Sequence, residues 1–326
     1  MQQRTHFAQP HFAGLQDLVN DPDVKEIIVN NNTEVWAERT AGLERAGSLA
    51  PGEAAALLER LLAPIGRRID LSSPVVDARL SDGSRLCAAI PPVSPYGLCF
   101  TIRRFSSCAL GISSFTHGRV SDLLHSVVHQ RRNIIVAGAT STGKTTLLSA
   151  LASEALPNER LVVLEDTNEL AVEHPHVVYL ESRPSSAEGV AEISLSHLVR
   201  HALRLRPDRL VVGEVRGPEA FDMLQAMNTG HAGSMSTCHA NSAHDALYRL
   251  ESMVLQATPN WPLAAVRSYI ASAIDIVVFV ERGPQGSRHV AQVVEISDTL
   301  TTHGSYSTSV LAHSLHPSNG DLALVM

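Results

Sequence analysis

Hydrophobic and polar positions follow two different patterns along this 326-residue chain, and the pattern changes near residue 106. In the first part, short runs of alternating apolar and polar residues predict strands. Glu53 to Leu62 predicts a helix, because its Ala and Leu residues recur at helical spacing. We therefore expect an N-terminal α/β domain over residues 1–106 that ends in the start of a linker, Phe105 to Gly118. Its predicted strands are Val24 to Val29, Glu34 to Glu38, Val75 to Leu80, Leu86 to Ile90 and Cys99 to Arg103.

From residue 107 onward, uninterrupted apolar runs alternate with amphipathic stretches. This alternation is typical of a mostly parallel sheet with helices on both faces. The predicted strands are Asn133 to Ala137, Leu161 to Leu164, Leu210 to Val212, Ser234 to Cys238, Ile274 to Val280 and Val290 to Ile296. The predicted helices are Val120 to Gln130, Lys144 to Glu154, Leu195 to Arg204, Pro218 to Asn228, Ala243 to Leu255 and Pro262 to Ala273. The segment after Ser297 is polar and weakly patterned, and it belongs to the second domain, residues 107–326.

A candidate phosphate-binding loop lies between the first strand and the second helix of this domain. The residues that fit the P-loop pattern G-x-x-x-x-G-K-[ST] are Gly138, Ala139, Thr140, Ser141, Thr142, Gly143, Lys144 and Thr145. Thr146 follows them and is also a candidate nucleotide-binding residue. The glycines of this loop let backbone N–H groups turn inward around an anion, and the helix N-terminus adds positive charge. We expect Lys144 to reach the β- and γ-phosphates and the Thr145 hydroxyl to ligate Mg²⁺. The sequence therefore predicts binding of ATP with Mg²⁺.

Titratable residues follow three further predicted strands of this domain. In an open α/β sheet, the carboxyl ends of the strands meet at the edge where ligands bind. The residues are Glu165, Asp166 and Glu169 after Leu161 to Leu164, Glu214 after Leu210 to Val212, and His239 after Ser234 to Cys238. We expect Glu214, at the Walker B position, to polarise the attacking water or hold Mg²⁺ through a water, with Glu165 and Glu169 sharing that work. A solvated turn at Glu214 and a helix cap at Asp166 are the alternatives.

Composition restricts the remaining function classes. A net charge of −7 argues against a general nucleic-acid coat protein. No apolar run reaches the about 18 residues of a membrane span, and the N-terminus lacks the apolar core of a signal peptide, so we expect a cytoplasmic protein. The four cysteines form no C-x-x-C pair, which favours buried free thiols. Zinc is not expected, because Cys238, His239 and His244 lack paired spacing.

Three longer motifs resemble those of the type II/IV secretion ATPases. Leu203 to Arg209 with Gly213 to Gly217 resembles their Walker B region, and Glu165 to Leu170 resembles their Asp box. Asn228 to Ser234 with Thr237 to Asn241 resembles their His box. Within the family, the chain is most similar to the CpaF-like ATPases of Flp/Tad pilus assembly. The segments that favour this branch are Glu26 to Asn30, Asp77 to Arg85, Thr101 to Phe105 and Ala246 to Glu251.

The resemblance implies an architecture and further site residues. It implies a homo-hexameric ring whose subunits have a PAS-like N-terminal domain and a RecA-like motor domain, with the nucleotide between the two domains. Arg85 and Arg103 match the N-terminal arginines that reach the phosphates, and His231 and His239 match nucleotide-state sensors. The ring would act on integral-membrane platform proteins from the inner face of the cytoplasmic membrane. The longer N-terminal helical extension of the CpaF-like branch is expected to be absent.

The predicted function is therefore ATP hydrolysis that powers Flp/Tad-type pilus assembly or secretion. One alternative is a type IV secretion or conjugation ATPase, which has the same chemistry in a different machine. A RecA-like DNA motor is a second alternative, but the negative net charge and the lack of an aromatic–basic strip count against nucleic-acid binding. A nucleotide-dependent switch without turnover is a third, and the intact set of Lys144, Thr145, Glu169 and Glu214 argues against it.

Overall fold

The computed structural model describes residues 12–39, 41–104, 110–183, 191–283, 287–314 and 322–324. The chain divides into two compact units, Met1–Ser107 and Cys108–Met326. Within the described residues, no helix is both long enough and apolar enough to cross a membrane.

The N-terminal unit is an antiparallel sheet with a helix packed on one face. The order of its strands is β3-β2-β1-β6-β5-β4. Leu57, Leu58 and Leu61 of the second helix are buried against apolar strand residues such as Ile27 and Ile102. The elements are α1 (Gln16–Asn20), α2 (Glu53–Leu62), β1 (Glu26–Asn30), β2 (Glu34–Arg39), β3 (Gly42–Ser48), β4 (Val75–Arg79), β5 (Arg85–Ala89) and β6 (Cys99–Arg103).

The second unit is built on a nine-stranded sheet that is mostly parallel where the P-loop lies. Its strands are β7 (Ile134–Gly138), β8 (Leu161–Glu165), β9 (Val177–Glu181), β10 (Arg209–Val212), β11 (Met235–His239), β12 (Ile276–Arg282), β13 (Arg288–Leu300), β14 (Tyr306–Ser314) and β15 (Leu322–Leu324). The helices are α3 (Gly118–His129), α4 (Lys144–Ser153), α5 (Leu195–Ala202), α6 (Glu219–Asn228), α7 (Ala243–Ala257) and α8 (Leu263–Ala273). The strand order is β15-β14-β13-β12-β7-β11-β10-β8-β9.

In this strand order, all neighbours from β12 through β7, β11, β10 and β8 to β9 pair in parallel. The neighbours from β12 through β13 and β14 to β15 pair antiparallel. Strands β7, β8 and β10 are buried along their whole length, as parallel strands are when helices cover both faces of the sheet. Residues of α3 and α4 pack on one face, and residues of α5 to α8 pack on the other. The α/β fold class is thus confirmed, with a P-loop after the central strand β7, as in RecA-like motor domains.

Four strands were not predicted: β3, β9, β14 and β15. Every described side chain of β3 is exposed, and those of β9 are half-buried, since both strands lie at sheet edges. No element was predicted after Ser297, where β13 continues to Leu300 and pairs with β14. Serine and threonine fill most of β14 between the buried Tyr306 and Ala312, which hides the pattern.

Part of the predicted linker belongs to the core of the second unit. Ile112–Ser114 form a short 3₁₀ turn, and Ile112 and Phe115 are buried beside α3 and α4. Two isolated apolar residues among serines and glycines produce no period, so the sequence pattern did not identify this segment as core. Residues 105–109 of the predicted linker lie outside the described residues.

Candidate nucleotide-binding site

The P-loop connects the carboxyl end of β7 to the first turn of α4. Gly143 has a φ of +92° and Ser141 a φ of +61°, so the loop turns through conformations that most side chains disfavour. A Cβ atom at Gly138 would lie 2.5 Å from the carbonyl oxygen of Val280 on the neighbouring strand β12. The Thr142 hydroxyl donates a hydrogen bond to the Ala139 carbonyl at 2.9 Å, which closes the loop on itself. This backbone shape is the one that an anion cradle requires.

Lys144 lies inside the loop rather than in solvent. Only 7% of its surface is exposed, and burial lowers the pKa of its ammonium group. Its Nζ donates a hydrogen bond to the Ala139 carbonyl at 2.8 Å and lies 3.5 Å from Nδ1 of His239. An ammonium group has three N–H donors, so this arrangement leaves capacity for a phosphate oxygen.

His239 lies between Lys144 and Glu214. It is the last residue of β11, directly opposite Gly138 on β7, and its Nε2 lies 3.1 Å from Glu214 Oε1. Burial is the main cause of a lowered pKa for its imidazole, followed by the attraction of Glu214, which acts in the opposite direction, and by the nearby cation of Lys144. The structure therefore brings three of the predicted site residues into one contact chain at the P-loop.

The two carboxylate oxygens of Glu214 have different surroundings. Oε2 accepts a hydrogen bond from Arg216 at 2.5 Å. Oε1 is buried, and its contact with His239 lacks hydrogen-bond geometry, so it has no hydrogen-bond partner among the described residues. A buried acceptor without a partner is costly. Glu214 follows β10 at the carboxyl edge of the sheet, where the phosphates are expected. This geometry fits a carboxylate that accepts a hydrogen bond from a water, free or bound to Mg²⁺.

Glu165 holds the loop that follows β8. Its Oε1 accepts hydrogen bonds from the backbone N–H groups of Glu169 at 2.8 Å and Leu170 at 2.9 Å. A Cβ atom added at Gly213, the residue after β10, would lie only 2.9 Å from Glu165 Cγ. The Glu165 side chain therefore packs closely against the end of β10. These contacts indicate that Glu165 shapes the site, and a share of Glu165 and Glu169 in activating water stays a prediction.

The same loop is fastened to the P-loop helix. The backbone N–H of Ala171 donates to Ser149 Oγ at 3.2 Å, and that of Glu173 donates to Ser153 Oγ at 2.9 Å. Both serines lie on α4, so the segment after Glu165 and the helix that begins at Lys144 are joined by side-chain hydrogen bonds.

Burial of Glu165 predicts a measurable dependence of stability on pH. Only 4% of its surface is exposed, and burial raises the pKa of its carboxyl group from an ordinary value of 4.5 to about 7. Between these two pH values the unfolded chain releases a proton that the folded chain keeps, so this group's contribution to stability falls as pH rises. The loss approaches about 3 kcal/mol above pH ~7.

Glu165→Gln removes this titration. The free energy of unfolding of the variant, relative to the wild type, should therefore rise by about 3 kcal/mol between pH ~4.5 and ~7.5. Urea unfolding at a series of pH values measures it. Glu173→Gln, which changes an exposed carboxylate of the same segment, is the control and should follow the wild-type profile. Parallel profiles for Glu165→Gln and the wild type would show that Glu165 titrates normally.

His231 lies at the opposite end of the sheet from the P-loop. It precedes β11, its Nδ1 faces the Ala226 carbonyl at 3.3 Å, and its own carbonyl accepts from Ser234 Oγ at 2.7 Å. The N–H of Ser234 in turn donates to Asn133, at the amino end of β7. The length of β11, roughly 13 Å at 3.3 Å per residue, therefore separates His231 from His239. Within one chain, the two predicted sensor histidines do not meet.

The two predicted arginines of the N-terminal unit are neighbours on its sheet. Arg85 on β5 lies directly opposite Arg103 on β6, and Arg103 lies opposite Glu26 on β1, so the three share one face. The Arg85 guanidinium forms two hydrogen bonds to Asp77, and this pairing raises its pKa. The implied contact of Arg85 and Arg103 with phosphates stays a prediction.

Arg216 and Arg288 are site residues that the sequence reasoning missed. Arg216 belongs to Gly213 to Gly217, the segment that resembles Walker B. It lies two residues after Glu214, and this spacing could have indicated that it is a site residue. Arg288 lies at the start of β13, and its Cδ would be 2.8 Å from a Cβ atom at Gly143 of the P-loop. A glycine-containing turn joins the predicted strands Ile274 to Val280 and Val290 to Ile296. This pattern could have indicated that the chain returns to the P-loop edge near Arg288.

The cysteines form no metal centre in the described part of the chain. No group of three or more His, Cys, Asp and Glu residues there is arranged to hold a metal ion. The three described cysteines are free thiols: Cys238 is buried, with its pKa raised to about 12 by burial, whereas Cys87 and Cys99 are only half-buried. The prediction of buried thiols thus holds for Cys238 alone, and Cys108 lies outside the described residues.

Comparison with known protein families and curated sequences gives consistent matches over nearly the whole chain. A family model described as type II/IV secretion system protein matches residues 9–306. A putative conjugal transfer protein of Mycobacterium tuberculosis is 36% identical over 86% of this chain and 82% of its own length. The conjugal transfer protein TrbB of Rhizobium radiobacter is 32% identical over 87% of both chains. The type IV secretion system protein PtlH of Bordetella pertussis is 35% identical over 88% of this chain and 93% of its own.

Solved structures show the same relationship. The VirB11 ATPase of the Brucella suis type IV secretion system, in complex with sulphate, is 30% identical and covers 87% of this chain and 92% of its own, with a TM-score of 0.50. The pilus retraction motor PilT with bound ADP is 16% identical over 92% of this chain and 82% of its own, with a TM-score of 0.63. At that identity, PilT shows a shared fold alone.

Proposed function

Because the chain belongs to the type II/IV secretion system protein family, we propose that it is an ATPase that powers a type IV secretion or conjugal-transfer machine. The observation that carries this proposal is the contact chain of Lys144, His239 and Glu214 beside a P-loop. Its support comes from relatives named for conjugal transfer or type IV secretion, which match over more than four fifths of both chains.

The residues at the P-loop divide the work of hydrolysis. Lys144 binds the β- and γ-phosphates, and Thr145 would hold Mg²⁺ through its hydroxyl. When bound, Mg²⁺ would supply positive charge beside the phosphate oxygens. Glu214 Oε1 accepts a hydrogen bond from the attacking water, while Arg216 holds the other carboxylate oxygen. His239 touches both Lys144 and Glu214, so it is placed to link phosphate binding to the position of the carboxylate.

The choice of machine changes from the first expectation. The sequence motifs favoured the CpaF-like branch of Flp/Tad pilus assembly, but the relatives described above are named for conjugal transfer and type IV secretion. The CpaF-like branch is therefore not confirmed, and the alternative reading has better support. The chemistry proposed for the P-loop is the same in either case.

The proposal includes a homo-hexamer that acts on integral-membrane platform proteins from the cytoplasmic side. Its support is the family resemblance in the Walker B, Asp-box and His-box segments, together with the match to the VirB11 ATPase of a type IV secretion system. The net charge of −7 argues against nucleic-acid binding by this chain. Adding DNA should therefore leave the rate of ATP hydrolysis unchanged, whereas several-fold stimulation would favour a DNA motor.

An allelic replacement in the host tests the proposed function. Lys144→Ala should abolish transfer of DNA to recipient cells or export of the secreted substrate, with the protein still present at wild-type levels by immunoblot. Lys25 is the only other lysine of the chain and is exposed, so Lys25→Ala is a matched control that should retain transfer. Loss of surface pili with normal transfer and export would instead support the Flp/Tad reading.

A further inference from the structure

The P-loop has a second wall, built by β12 and β13. Strand β12 runs parallel to β7, and Val280 lies opposite Gly138, the first P-loop residue. Strand β12 then continues to Arg282, past the end of β7. Strand β13 begins at Arg288, directly opposite Arg282. Two arginines are therefore placed on neighbouring strands beside the phosphate-binding loop.

Arg288 packs against the loop itself. A Cβ atom at Gly143 would lie 2.8 Å from Arg288 Cδ and 3.0 Å from the Phe115 ring. Gly143 immediately precedes Lys144 and caps the helix whose N-terminus faces the phosphates. The guanidinium group continues beyond Cδ, so the charged end of Arg288 lies within a side chain's length of the loop.

The charge arrangement of this wall is suited to an anion. Arg288 carries its charge on a side chain that packs against Gly143 of the P-loop. A guanidinium group also presents its N–H donors in a planar fork that matches phosphate oxygens.

The position of Arg288 in the sheet indicates which phosphates it reaches. In the strand order, β10 and β11, which carry Glu214 and His239 at their ends, lie on one side of β7, and β12 and β13 lie on the other. Water attack on the γ-phosphate takes place beside Glu214. Arg288 approaches from the opposite side, toward the phosphates that ATP and ADP share.

We propose that Arg288 is a nucleotide-binding residue that holds the phosphates common to ATP and ADP through its guanidinium group. This inference rests on the proposed function, since it assigns a further residue to the same site. It gives Arg288 a role in affinity rather than in the chemical step, which distinguishes it from Glu214.

Substitution of Arg288 in the full chain tests the role of the guanidinium group. Arg288→Met keeps an unbranched apolar stem against Gly143 and Phe115 but removes the charge. We expect it to raise the KM for ATP and the Kd for ADP by about 10- to 100-fold, with kcat changed less than about threefold. Arg288→Lys should recover part of the affinity. Titration with ADP and steady-state hydrolysis of ATP measure the two effects.

Arg282→Met is the matched control, because it removes the same charge from the opposite strand. It should weaken ADP binding less than about threefold.

An equal loss of affinity in both variants would show that the general positive potential matters and not a contact of Arg288. Unchanged affinity in Arg288→Met would mean that the residue only packs on the loop. A fall in kcat at unchanged KM would place it in the chemical step instead. If the wild-type chain bound neither ADP nor ATP, the proposed function itself would fail.

Discussion

Replacing Glu214 by glutamine should lower the kcat for ATP hydrolysis by about 10²- to 10⁴-fold while ATP still binds. Glutamine keeps the size of the side chain and can still accept a hydrogen bond from Arg216. It loses the negative charge of the buried oxygen Oε1, which has no hydrogen-bond partner among the described residues. A water that this oxygen orients for attack would then lack its proton acceptor. Steady-state phosphate release and ATP titration separate the two effects.

The control for Glu214→Gln is Glu173→Gln, which changes an exposed carboxylate and should keep the wild-type rate. The Glu214→Gln variant should also accumulate in its ATP-bound form. A filter-binding assay with radiolabelled ATP would detect this form. If ATP binding and hydrolysis fell together, Glu214 would hold the metal or support the fold rather than activate water.

Replacing Lys144 by alanine should lower kcat/KM for ATP by about 10³-fold or more. Loss of one charge-stabilising donor typically costs about 10²- to 10³-fold in rate, and a charged hydrogen bond to phosphate adds at least about tenfold in affinity. The variant should lose ADP affinity as well as turnover, because Lys144 is the buried ammonium group of the loop. Isothermal titration with ADP and a phosphate-release assay measure both.

Lys25→Ala serves as the matched control, since Lys25 is exposed and belongs to the N-terminal unit. Circular dichroism of both variants should overlay the wild-type spectrum. Wild-type turnover in Lys144→Ala would overturn the assignment of this loop to phosphate binding.

The sequence places the P-loop, Glu214 and His239 at one edge of the sheet for a physical reason. The P-loop is contiguous, so its glycines, Lys144 and Thr145 are recognised from the local sequence. Glu214 and His239 were found because the carboxyl ends of parallel strands converge, which makes a residue after one strand a neighbour of a residue after the next. The contact of His239 with both Lys144 and Glu214 follows from this rule and from the strand order.

Other features of the site depended on contacts that no local pattern encodes. Glu165 follows a buried strand just as Glu214 does, yet its carboxylate turns to two backbone N–H groups of the following loop. His231 belongs to the same sequence motif as His239, but the full length of β11 separates them. Arg288 reaches the P-loop only because β13 returns beside β12, a pairing that depends on the tertiary fold.

The outer strands of both sheets show why part of the fold was missed. Strand β3 exposes every described side chain, and β14 has three consecutive serine and threonine residues after Tyr306, so neither has a clear apolar period to detect. Their formation depends on pairing with β2 and β13, which satisfies their backbone hydrogen bonds. The positions of such strands are set by their neighbours and not by their own residues.

Phosphate release from ATP by the purified full chain shows directly whether this protein is an ATPase. The assay compares the wild type with Mg²⁺, the wild type with excess chelator, and Lys144→Ala with Mg²⁺. We expect turnover that requires Mg²⁺, is lost in Lys144→Ala, and is unchanged when DNA is added. Tight binding of ATP by the wild type without any release of phosphate, or equal release by Lys144→Ala, would contradict it.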